Sequence, residues 1–263
     1  LHDGLLVESV LIPTESRTTA CVSSQVGCSL NCEFCATAKL KRMRNLEVAE
    51  IVDQVALIDK QSKLYFDRPL SNIVFMGMGE PMMNYKNVVD AIRKITQEDG
   101  LGMSARRITV STSGIPKMMK MLADENLKVK LALSLHSAIE HKRNEIMPFS
   151  TKFPLTEIME AMQYWYDKTG SRITFEYCVW KGINDGDEDI KALIKYCKQV
   201  PCKVNLIQYN PIGEGKFDHR SVEAEEKYVR ELEKAGITAL VRRSRGGDID
   251  AACGQLANKN SGE

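Results

Sequence analysis

Three cysteines near the start of the chain have the spacing of a metal-cluster site. Cys28, Cys32 and Cys35 follow a Cys-x3-Cys-x2-Cys pattern, and a fourth cysteine, Cys21, lies seven residues before the first of them. Iron–sulfur clusters are generally held by four cysteine thiolates. Three thiolates can hold three irons of a 4Fe-4S cluster and leave the fourth iron open to a substrate-like ligand. The spacing therefore predicts such a cluster, with one open iron.

Two other uses of these cysteines compete with a cluster. Cys21 could complete a tetrahedral zinc site, but the usual zinc pattern has two Cys-x2-Cys pairs and this segment has one. A disulfide framework needs an oxidising compartment and usually a short chain. This chain has 263 residues and no apolar signal stretch. Both alternatives fit the pattern less well than an iron–sulfur cluster.

The same segment resembles the radical S-adenosylmethionine (AdoMet) superfamily. The resemblance rests on the three-cysteine spacing and on the aromatic residue Phe34 directly before Cys35. It implies that the open iron chelates the amino and carboxylate groups of AdoMet.

The composition is typical of a globular protein of the reducing cytosol. Apolar residues make up 43% of the chain and form no run long enough to span a membrane. Eight cysteines without a recognisable signal or transit peptide indicate a cytoplasmic location. The net charge of +1 neither indicates nor excludes a nucleic-acid partner, because binding needs a local basic patch.

Strand-like and helix-like segments alternate along the chain. We predict strands at 18–24, 72–76, 107–112, 129–135, 173–180, 204–209 and 237–242, and helices near 48–58, 88–95, 116–123, 155–165, 190–198 and 223–234. Repeated strand–helix pairs imply parallel strands with crossover helices. The predicted fold class is α/β, a partial (open) α/β barrel of about six βα units. We assign residues 18–257 to this catalytic domain, residues 1–17 to an N-terminal extension and residues 258–263 to a polar tail.

Small polar residues follow most of the predicted strands, at the end where parallel α/β folds bind ligands. Gly79 and Glu80 lie in the segment GMGEP after the second strand. Glycine lets the backbone approach a ligand closely, and Glu80 can accept hydrogen bonds from an ammonium group. Each of the other residues is also typical of a helix cap or a structural histidine, but their shared position favours a ligand site: Ser111, Ser134, His136 and Asn210.

The C-terminal stretch RGGDIDAACGQL is a second informative feature. Cys253 lies there between small residues on a predicted loop. Small neighbours leave a thiol exposed, which favours a nucleophile, although a core cysteine is the common alternative.

Together these segments resemble one family closely. CVSSQVGC, SLNC, EFC, RNL, GMGEP, STSG, SLH and RGGDIDAACGQL are similar to segments of the dual-specificity adenine-C2 methyltransferases of 23S rRNA and tRNA. The resemblance covers nearly the whole chain, and its first and last segments are highly specific to this group and its close relatives. Family members normally carry a small N-terminal helical domain that helps to hold RNA, and we expect this chain to lack it.

The resemblance implies a radical mechanism that uses two AdoMet molecules per turnover. Cys28, Cys32 and Cys35 bind the cluster, and the first AdoMet methylates Cys253. The second is cleaved to a 5′-deoxyadenosyl radical, which takes a hydrogen from that methyl group, and the carbon radical adds to C2 of the adenine. Cys21 then helps to remove the C2 proton, and a Cys21–Cys253 disulfide forms as the product leaves.

The resemblance also implies the remaining site residues and partners. The AdoMet contacts would be Gly79, Glu80, Ser111, Ser134, Leu135, His136 and Asn210, and Glu8 matches a position assigned as a proton acceptor. The substrates would be an adenosine in the peptidyl-transferase centre of 23S rRNA and one next to the anticodon of tRNA. A reducing electron donor such as flavodoxin is implied, and a monomer is expected. The remaining cysteines read as structural: Cys178, Cys197 and Cys202.

Several basic residues are candidates for contacts with RNA phosphates, namely Lys39, Lys41, Arg42, Arg44, Arg106, Arg107, Arg242, Arg243 and Arg245. Phosphate contacts supply affinity and salt dependence rather than base choice. The alternative for such runs is an ordinary solvated face. An adenine inside folded RNA would have to be unstacked before the protein can reach it.

Two other functions remain open from the sequence. The sister family, which methylates C8 of adenosine in 23S rRNA and confers antibiotic resistance, shares both functional cysteines. No motif decides the methylated atom on physical grounds. A non-catalytic iron–sulfur protein that binds RNA is the rival from another class, and the intact chemical positions disfavour it.

Overall fold

The computed structural model describes residues 1–213, 217 and 222–258. Its strands are β1 (Val10–Pro13), β2 (Thr18–Cys21), β3 (Gln25–Val26), β4 (Arg44–Asn45), β5 (Asn72–Phe75), β6 (Ile108–Thr112), β7 (Lys130–Ser134), β8 (Ile173–Cys178), β9 (Cys202–Ile207) and β10 (Ala239–Arg242). Its α-helices are α1 (Val48–Phe66), α2 (Tyr85–Thr96), α3 (Pro116–Asp124), α4 (Glu140–Ile146), α5 (Leu155–Thr169), α6 (Asp187–Cys197) and α7 (Val222–Lys234).

Within the described residues, eight strands form one sheet in the order β1-β2-β5-β6-β7-β8-β9-β10. All neighbours from β2 to β10 are parallel, and β1 is antiparallel to β2. The two ends of this order, β1 and β10, are not paired with each other, so the sheet stays open. The predicted partial α/β barrel is therefore confirmed. A small antiparallel pair, β3 with β4, flanks the cysteine segment.

Local chemistry explains where several helices begin and end. Glu47 and Glu50 form a reciprocal capping box at the start of α1. Gly170 follows α5 with φ +63°, and Gly236 lies beyond α7 with φ +76°, the left-handed conformation that glycine adopts at helix ends.

Apolar residues of the strands and the inner helix faces form the core between the sheet and its helices. Every residue of β8 is buried, and Trp165 on α5 is fully buried with its indole N–H donating to the carbonyl oxygen of Ser171 (3.2 Å). Burying an aromatic ring of this size against the sheet is among the larger favourable contributions to folding. This core fixes the strand ends that carry the site.

The structure adds elements that the hydrophobic pattern did not predict. β1 lies inside the predicted N-terminal extension, and α4 follows β7 without a clear apolar stripe. The predicted polar tail lies outside the described residues except for Asn258. Among the described residues, no helix combines the length and the hydropathy that a membrane crossing requires.

Candidate active site

A cavity of about 670 Å³ opens at the carboxyl ends of the parallel strands. This is the face at which the sequence predicted a ligand site. All but two of the predicted site residues line it, namely Cys21, Cys28, Cys32, Cys35, Gly79, Glu80, Ser111, Ser134, His136, Asn210 and Cys253. The fold thus brings three separate sequence regions, the cysteine loop, the strand ends and the C-terminal segment, around one space.

The two exceptions have other surroundings. Leu135 is fully buried in the core, and its amide donates to the carbonyl oxygen of Glu176 (3.0 Å). Glu8 accepts a hydrogen bond from the amide of Asn258 through Oε2 (2.9 Å), and its own carbonyl oxygen accepts from Ser23 Oγ (2.5 Å). The carboxylate of Glu8 therefore binds the C-terminal segment in this structure rather than facing the cavity.

The cysteine loop places three thiols on one wall of the cavity. The amide of Cys35 donates to the carbonyl oxygen of Cys32 (3.2 Å), and the amide of Cys28 donates to that of Leu40 (3.4 Å). Across the cavity floor, the amide of Ala36 donates to the carbonyl oxygen of Gly254 (2.7 Å). The loop is thus fixed both within itself and against the C-terminal segment.

Burial controls the protonation of these thiols. It raises the pKa of Cys28 to about 12 and also raises the pKa of Cys32 and Cys35. Each member of the trio acts on another, because the pKa of Cys32 is raised further by Cys35 and Cys28. Three soft thiols on one wall suit iron–sulfur ligation. Binding iron there must expel their protons.

The described residues hold no group of three His, Cys, Asp or Glu side chains already arranged around a common metal-ion position. The donor chemistry nevertheless fits a cluster, since the three thiols are electrostatically coupled and face the cavity. These three residues are therefore the ones that would hold it.

Glu80 is a buried carboxylate held by three donors. Its Oε2 accepts hydrogen bonds from the amide (2.8 Å) and the hydroxyl (2.9 Å) of Ser113, and its Oε1 accepts from the amide of Met82 (3.0 Å). Burial raises its pKa, while these donors act in the opposite direction. The result is a rigid acceptor at the cavity wall, suited to an ammonium group.

Gly79 allows the backbone before Glu80 to pass close to β3. Its φ is +94°, and a Cβ at this position would lie 2.5 Å from Cβ of Gln25. Gln25 in turn accepts a hydrogen bond from the amide of Glu80 through Oε1 (2.9 Å). Any residue with a Cβ would displace the Gln25 side chain, so only glycine fits here.

His136 is a buried, neutral imidazole. Burial lowers its pKa to about 3, with a smaller effect from Arg143. Its Nδ1 accepts a hydrogen bond from the amide of Cys178 (3.1 Å), and its ring packs edge-on against Phe34 with centroids 4.6 Å apart. This ring contact links Phe34, the residue before the third cysteine, to the segment that follows β7.

The C-terminal segment covers the cavity from the side of β9. Nδ2 of Asn210 donates to the carbonyl oxygen of Cys253 (3.3 Å), and Nε2 of Gln255 donates to that of Pro211 (3.1 Å). Cys253 lies in a turn, and its side chain is exposed because it faces the open space of the cavity. The loop position and the exposure predicted for this thiol are both found.

Cys21, Cys253, Glu176 and Arg242 form a second group in the cavity. Burial raises the pKa of Cys21 to about 12; Cys253 adds to this rise and Arg242 opposes it. The pKa of Cys253 is also raised, because the surrounding cavity walls keep its sulfur poorly hydrated and because Glu176 is close, and it is lowered by Arg242. Cys253 therefore acts electrostatically on the thiol of Cys21.

The structure does not contain the disulfide that the resemblance implied. All eight cysteines lie in the described part of the chain, and each carries a free thiol. Cys21 and Cys253 both line the cavity in this reduced form.

The predicted phosphate contacts differ in their surroundings. Arg44 is already paired with acidic residues, because it binds Glu50 through two nitrogens (2.7 Å each) and Asp3 through Nε (2.6 Å). Arg245 donates to the carbonyl oxygen of Pro13 (2.8 Å), which links the segment after β10 to the end of β1. Arg242 faces the two thiols inside the cavity.

Sequence reasoning missed two charged residues near the site. Glu176 lies in β8 between buried apolar residues, and a carboxylate in an otherwise buried strand is a usable signal. Arg143 is fully buried on α4. The short segment EHKRNEI that contains it has no pattern that would have marked it.

Comparisons with known proteins agree with this geometry. The model of the Radical SAM superfamily matches residues 22–197. A probable dual-specificity RNA methyltransferase RlmN of Flavobacterium psychrophilum is 70% identical over 259 residues, covering 98% of this chain and 75% of the relative. A protein of the same name in Christiangramia forsetii is 68% identical, covering 99% of this chain and 74% of that relative.

Solved structures support the same assignment. The crystal structure of a radical SAM methyltransferase from Sphaerobacter thermophilus superposes with a TM-score of 0.92 at 42% identity, covering 95% of this chain and 73% of that one. Streptococcus suis SuiB, at 15% identity and a TM-score of 0.62, shares the fold alone. With its cysteine loop, its open parallel sheet and these relatives, the chain belongs to the RlmN family of radical SAM dual-specificity RNA methyltransferases.

Proposed function

We propose that this enzyme methylates C2 of an adenosine in 23S rRNA, at the peptidyl-transferase centre, and in tRNA, next to the anticodon. The observation that carries the proposal is the position of Cys253 and Cys21. These two thiols lie outside the cluster trio, yet they line the same cavity as the three cluster cysteines. A third thiol outside the trio, Cys178, also lines the cavity, but it is buried at the end of β8, whereas the side chain of Cys253 is open to the cavity. A simple radical enzyme has no need of the thiols of Cys21 and Cys253 at this place.

The cofactor positions follow from the two walls of the cavity. Cys28, Cys32 and Cys35 hold a 4Fe-4S cluster, which when bound supplies the electron for reductive cleavage of AdoMet. AdoMet would bind against the strand ends, where Glu80 would accept a hydrogen bond from an N–H of its amino group. Two AdoMet molecules are used per turnover. The other polar contacts come from Gly79, Ser111, Ser134, His136 and Asn210.

Cys253 is the methyl carrier in this proposal. Its side chain is open to the cavity; poor hydration raises the pKa of the thiol, and the positive charge of Arg242 opposes that rise and so favours the thiolate that accepts a methyl group. The hydrogen bond from Asn210 to its carbonyl oxygen orients the turn. C2 of adenine is an electron-poor carbon without a lone pair, so it cannot take a methyl group by ordinary displacement. A route through a carbon attached to Cys253 solves this problem.

Cys21 resolves the covalent protein–RNA adduct that such a route creates. It lies at the end of β2, lines the same cavity as Cys253, and has its pKa raised in part by Cys253. Glu8, placed at the C-terminal segment, is the candidate proton acceptor, and reaching the cavity requires it to leave Asn258. A flavodoxin-type protein is the proposed electron donor, and the enzyme acts as a monomer.

The test is mass spectrometry of the anaerobically reconstituted enzyme. Incubation with AdoMet and reductant should add one methyl group to the Cys253 peptide, and subsequent incubation with 23S rRNA and tRNA should yield 2-methyladenosine. Cys253→Ala should keep the cluster and lose methylation. Cys202→Ala, a thiol at the start of β9 outside the cavity lining, should retain both and serves as control.

The same experiment decides between the alternatives. 8-Methyladenosine in the digest would assign the enzyme to the sister C8 family, which shares the two thiols. Methylation of RNA by Cys253→Ala would overturn the assignment of the methyl carrier. An intact cluster without any RNA product, and without a methyl group on Cys253, would favour a non-catalytic iron–sulfur protein that binds RNA.

A further inference from the structure

Arg143 is a fully buried arginine behind the cysteine loop. Its Nη2 donates to the carbonyl oxygen of Ser113 (2.5 Å) and, at 3.4 Å, to that of Ser134, which are at the carboxyl ends of β6 and β7. In the described part of the chain, Nε and Nη1 of the same guanidinium have no hydrogen-bond partner. Two of its three nitrogens are thus buried and unsatisfied.

Such an arrangement is costly, because a buried cation is normally paired with a negative charge. Four groups act electrostatically on Arg143 or are acted on by it: Cys32, Glu140, Tyr196 and His136. Glu140 is the carboxylate among them, and its Oε2 accepts from the amide of Leu155 at the start of α5 (2.9 Å). No ion pair between Arg143 and any acidic residue is formed within the described residues. Something else must balance this charge in the working enzyme.

The cluster site adjoins the helix that carries Arg143. The amide of Glu33, between Cys32 and Cys35, donates to the carbonyl oxygen of Ile146 on α4 (3.1 Å), and Cys32 packs against the apolar group that contains Ile146 and Met147. Arg143 is therefore the buried positive charge behind the middle cysteine of the trio. Cysteines bind iron as thiolates, so loading the cluster brings negative charge to this wall of the cavity. A guanidinium in a solvent-free position acts on that charge with little screening.

We propose that Arg143 is the resident countercharge of the 4Fe-4S site. It is a positioning residue that acts through Cys32 and holds the ends of β6 and β7, and it makes the cluster easier to reduce. This inference rests on the cofactor assigned under the proposed function. Its physical basis is that reduction adds an electron, and a fixed positive charge nearby favours the state with the additional negative charge. Net charge around a cluster is one of the determinants of its potential.

The experiment is a potentiometric titration followed by EPR on anaerobically reconstituted protein, without AdoMet and without RNA. The variants are Arg143→Met, which removes the charge, and Arg143→Lys, which keeps it. The matched control is Arg68→Met, because Arg68 also has a buried Nε without a partner in the described residues and also binds carbonyl oxygens, those of Thr14 and Glu15. Arg68 is not among the groups that act on the cluster cysteines.

We expect the midpoint potential of Arg143→Met to be more negative than that of the wild type, with Arg143→Lys close to the wild type and Arg68→Met unchanged. Equal potentials for all four proteins would overturn the proposal. So would equal shifts in the Met and Lys variants, because charge would then not be the cause. Calorimetric titration of the same proteins with AdoMet adds one outcome: an unchanged potential with a tenfold or greater loss of AdoMet affinity would overturn the proposal too, and would assign Arg143 to the carboxylate of AdoMet.

If Arg143→Met does not take up iron, its potential cannot be measured and a second measurement is needed. Urea unfolding of the cluster-free proteins then separates folding from loading. Wild-type-like unfolding together with lost loading supports the countercharge role, whereas unfolding at much lower urea overturns it in favour of a structural role. Failure of the wild type itself to bind a cluster would instead refute the proposed cofactor, and this is visible before any variant is made.

Discussion

Nη1 of Arg242 lies 4.0 Å from Oε2 of Glu176, and both side chains line the cavity beside Cys21 and Cys253. The two charges have opposite effects on the thiol of Cys253, because Arg242 lowers its pKa and Glu176 raises it. Glu176 is buried, and in the described residues its Oε2 has no hydrogen-bond partner. The reactivity of the Cys253 thiol therefore depends on the balance between these two side chains.

Replacing Arg242 should slow the reaction of Cys253 with a thiolate-selective reagent. Without the positive charge the pKa of the thiol rises further, and each unit of pKa reduces the thiolate fraction about tenfold at neutral pH. We expect Arg242→Met to lower the iodoacetamide rate at Cys253 by about tenfold, measured by peptide mass spectrometry. Arg242→Lys should stay near the wild type, and Glu176→Gln should react faster. Identical rates for the Met and Lys variants would contradict a role of the charge.

Removing Cys21 should trap the protein on its RNA. If Cys21 resolves the adduct on Cys253, then Cys21→Ala will form the adduct and fail to release it. A denaturing gel with labelled RNA should show a covalent protein–RNA band in this variant and none in the wild type. Cys197→Ala, which removes a buried thiol outside the cavity lining, is the control. Free methylated RNA from Cys21→Ala at the wild-type rate would exclude the resolving role.

Gly79→Ala should weaken AdoMet binding, because the new side chain would displace Gln25, which supports the backbone at Glu80. A left-handed residue with a Cβ costs about 1–2 kcal/mol, and here the new Cβ would also lie 2.5 Å from Cβ of Gln25 and 2.9 Å from its backbone nitrogen. We expect at least a tenfold rise in the AdoMet dissociation constant, measured by calorimetry. Gly102→Ala carries the backbone strain without the collision, since nothing lies within 4 Å of a Cβ there. Equal effects of the two substitutions would argue against the contact with Gln25.

His136 should make the fold sensitive to acid. Its pKa is about 3 in the folded chain and 6.5 in a model peptide. Below pH 6.5 the unfolded chain therefore gains a proton that the folded chain does not, so stability is lost as the pH falls from 6.5 towards 3.

The variant His136→Asn tests this dependence. Asparagine tolerates the positive φ of +55° at this position and offers an acceptor for the amide of Cys178. Between pH 7 and pH 4.5 the wild type should lose about 2–3 kcal/mol more unfolding free energy than the variant, as measured by urea denaturation. Parallel pH profiles would show that the imidazole becomes protonated without unfolding.

Much of the barrel was predictable because its signals are local. The strands β5 to β9 are short apolar runs bounded by turn residues, and the helices between most of them show an apolar stripe. β1 was missed because it is a half-buried edge strand whose partner β2 is antiparallel, and edge strands need no strong pattern. α4 was missed because it is seven residues long and buries few of them.

The candidate site also has features that the sequence could predict and features that it could not. The cysteine spacing and the polar strand ends are contiguous motifs, so the sequence could place them at one face of the sheet. The pairing of Arg242 with Glu176 and the unsatisfied charge of Arg143 depend on residues that are far apart in the chain. These contacts form only when the strands have assembled into the curved sheet. Neither hydrophobic periodicity nor motif spacing can therefore predict them.

The segment around Cys253 meets the cysteine loop through contacts that span nearly the whole chain. Thr37 Oγ1 donates to the carbonyl oxygen of Leu256, 219 residues away (2.6 Å), and Ala36 donates to Gly254. A ribosome completes the loop long before it reaches Cys253, and contacts between distant residues form late in folding. We therefore expect the nascent chain to present Cys28, Cys32 and Cys35, the proposed cluster ligands, before Cys253 has been synthesised. Iron delivered at that stage meets the cluster ligands before this further thiol can compete for it.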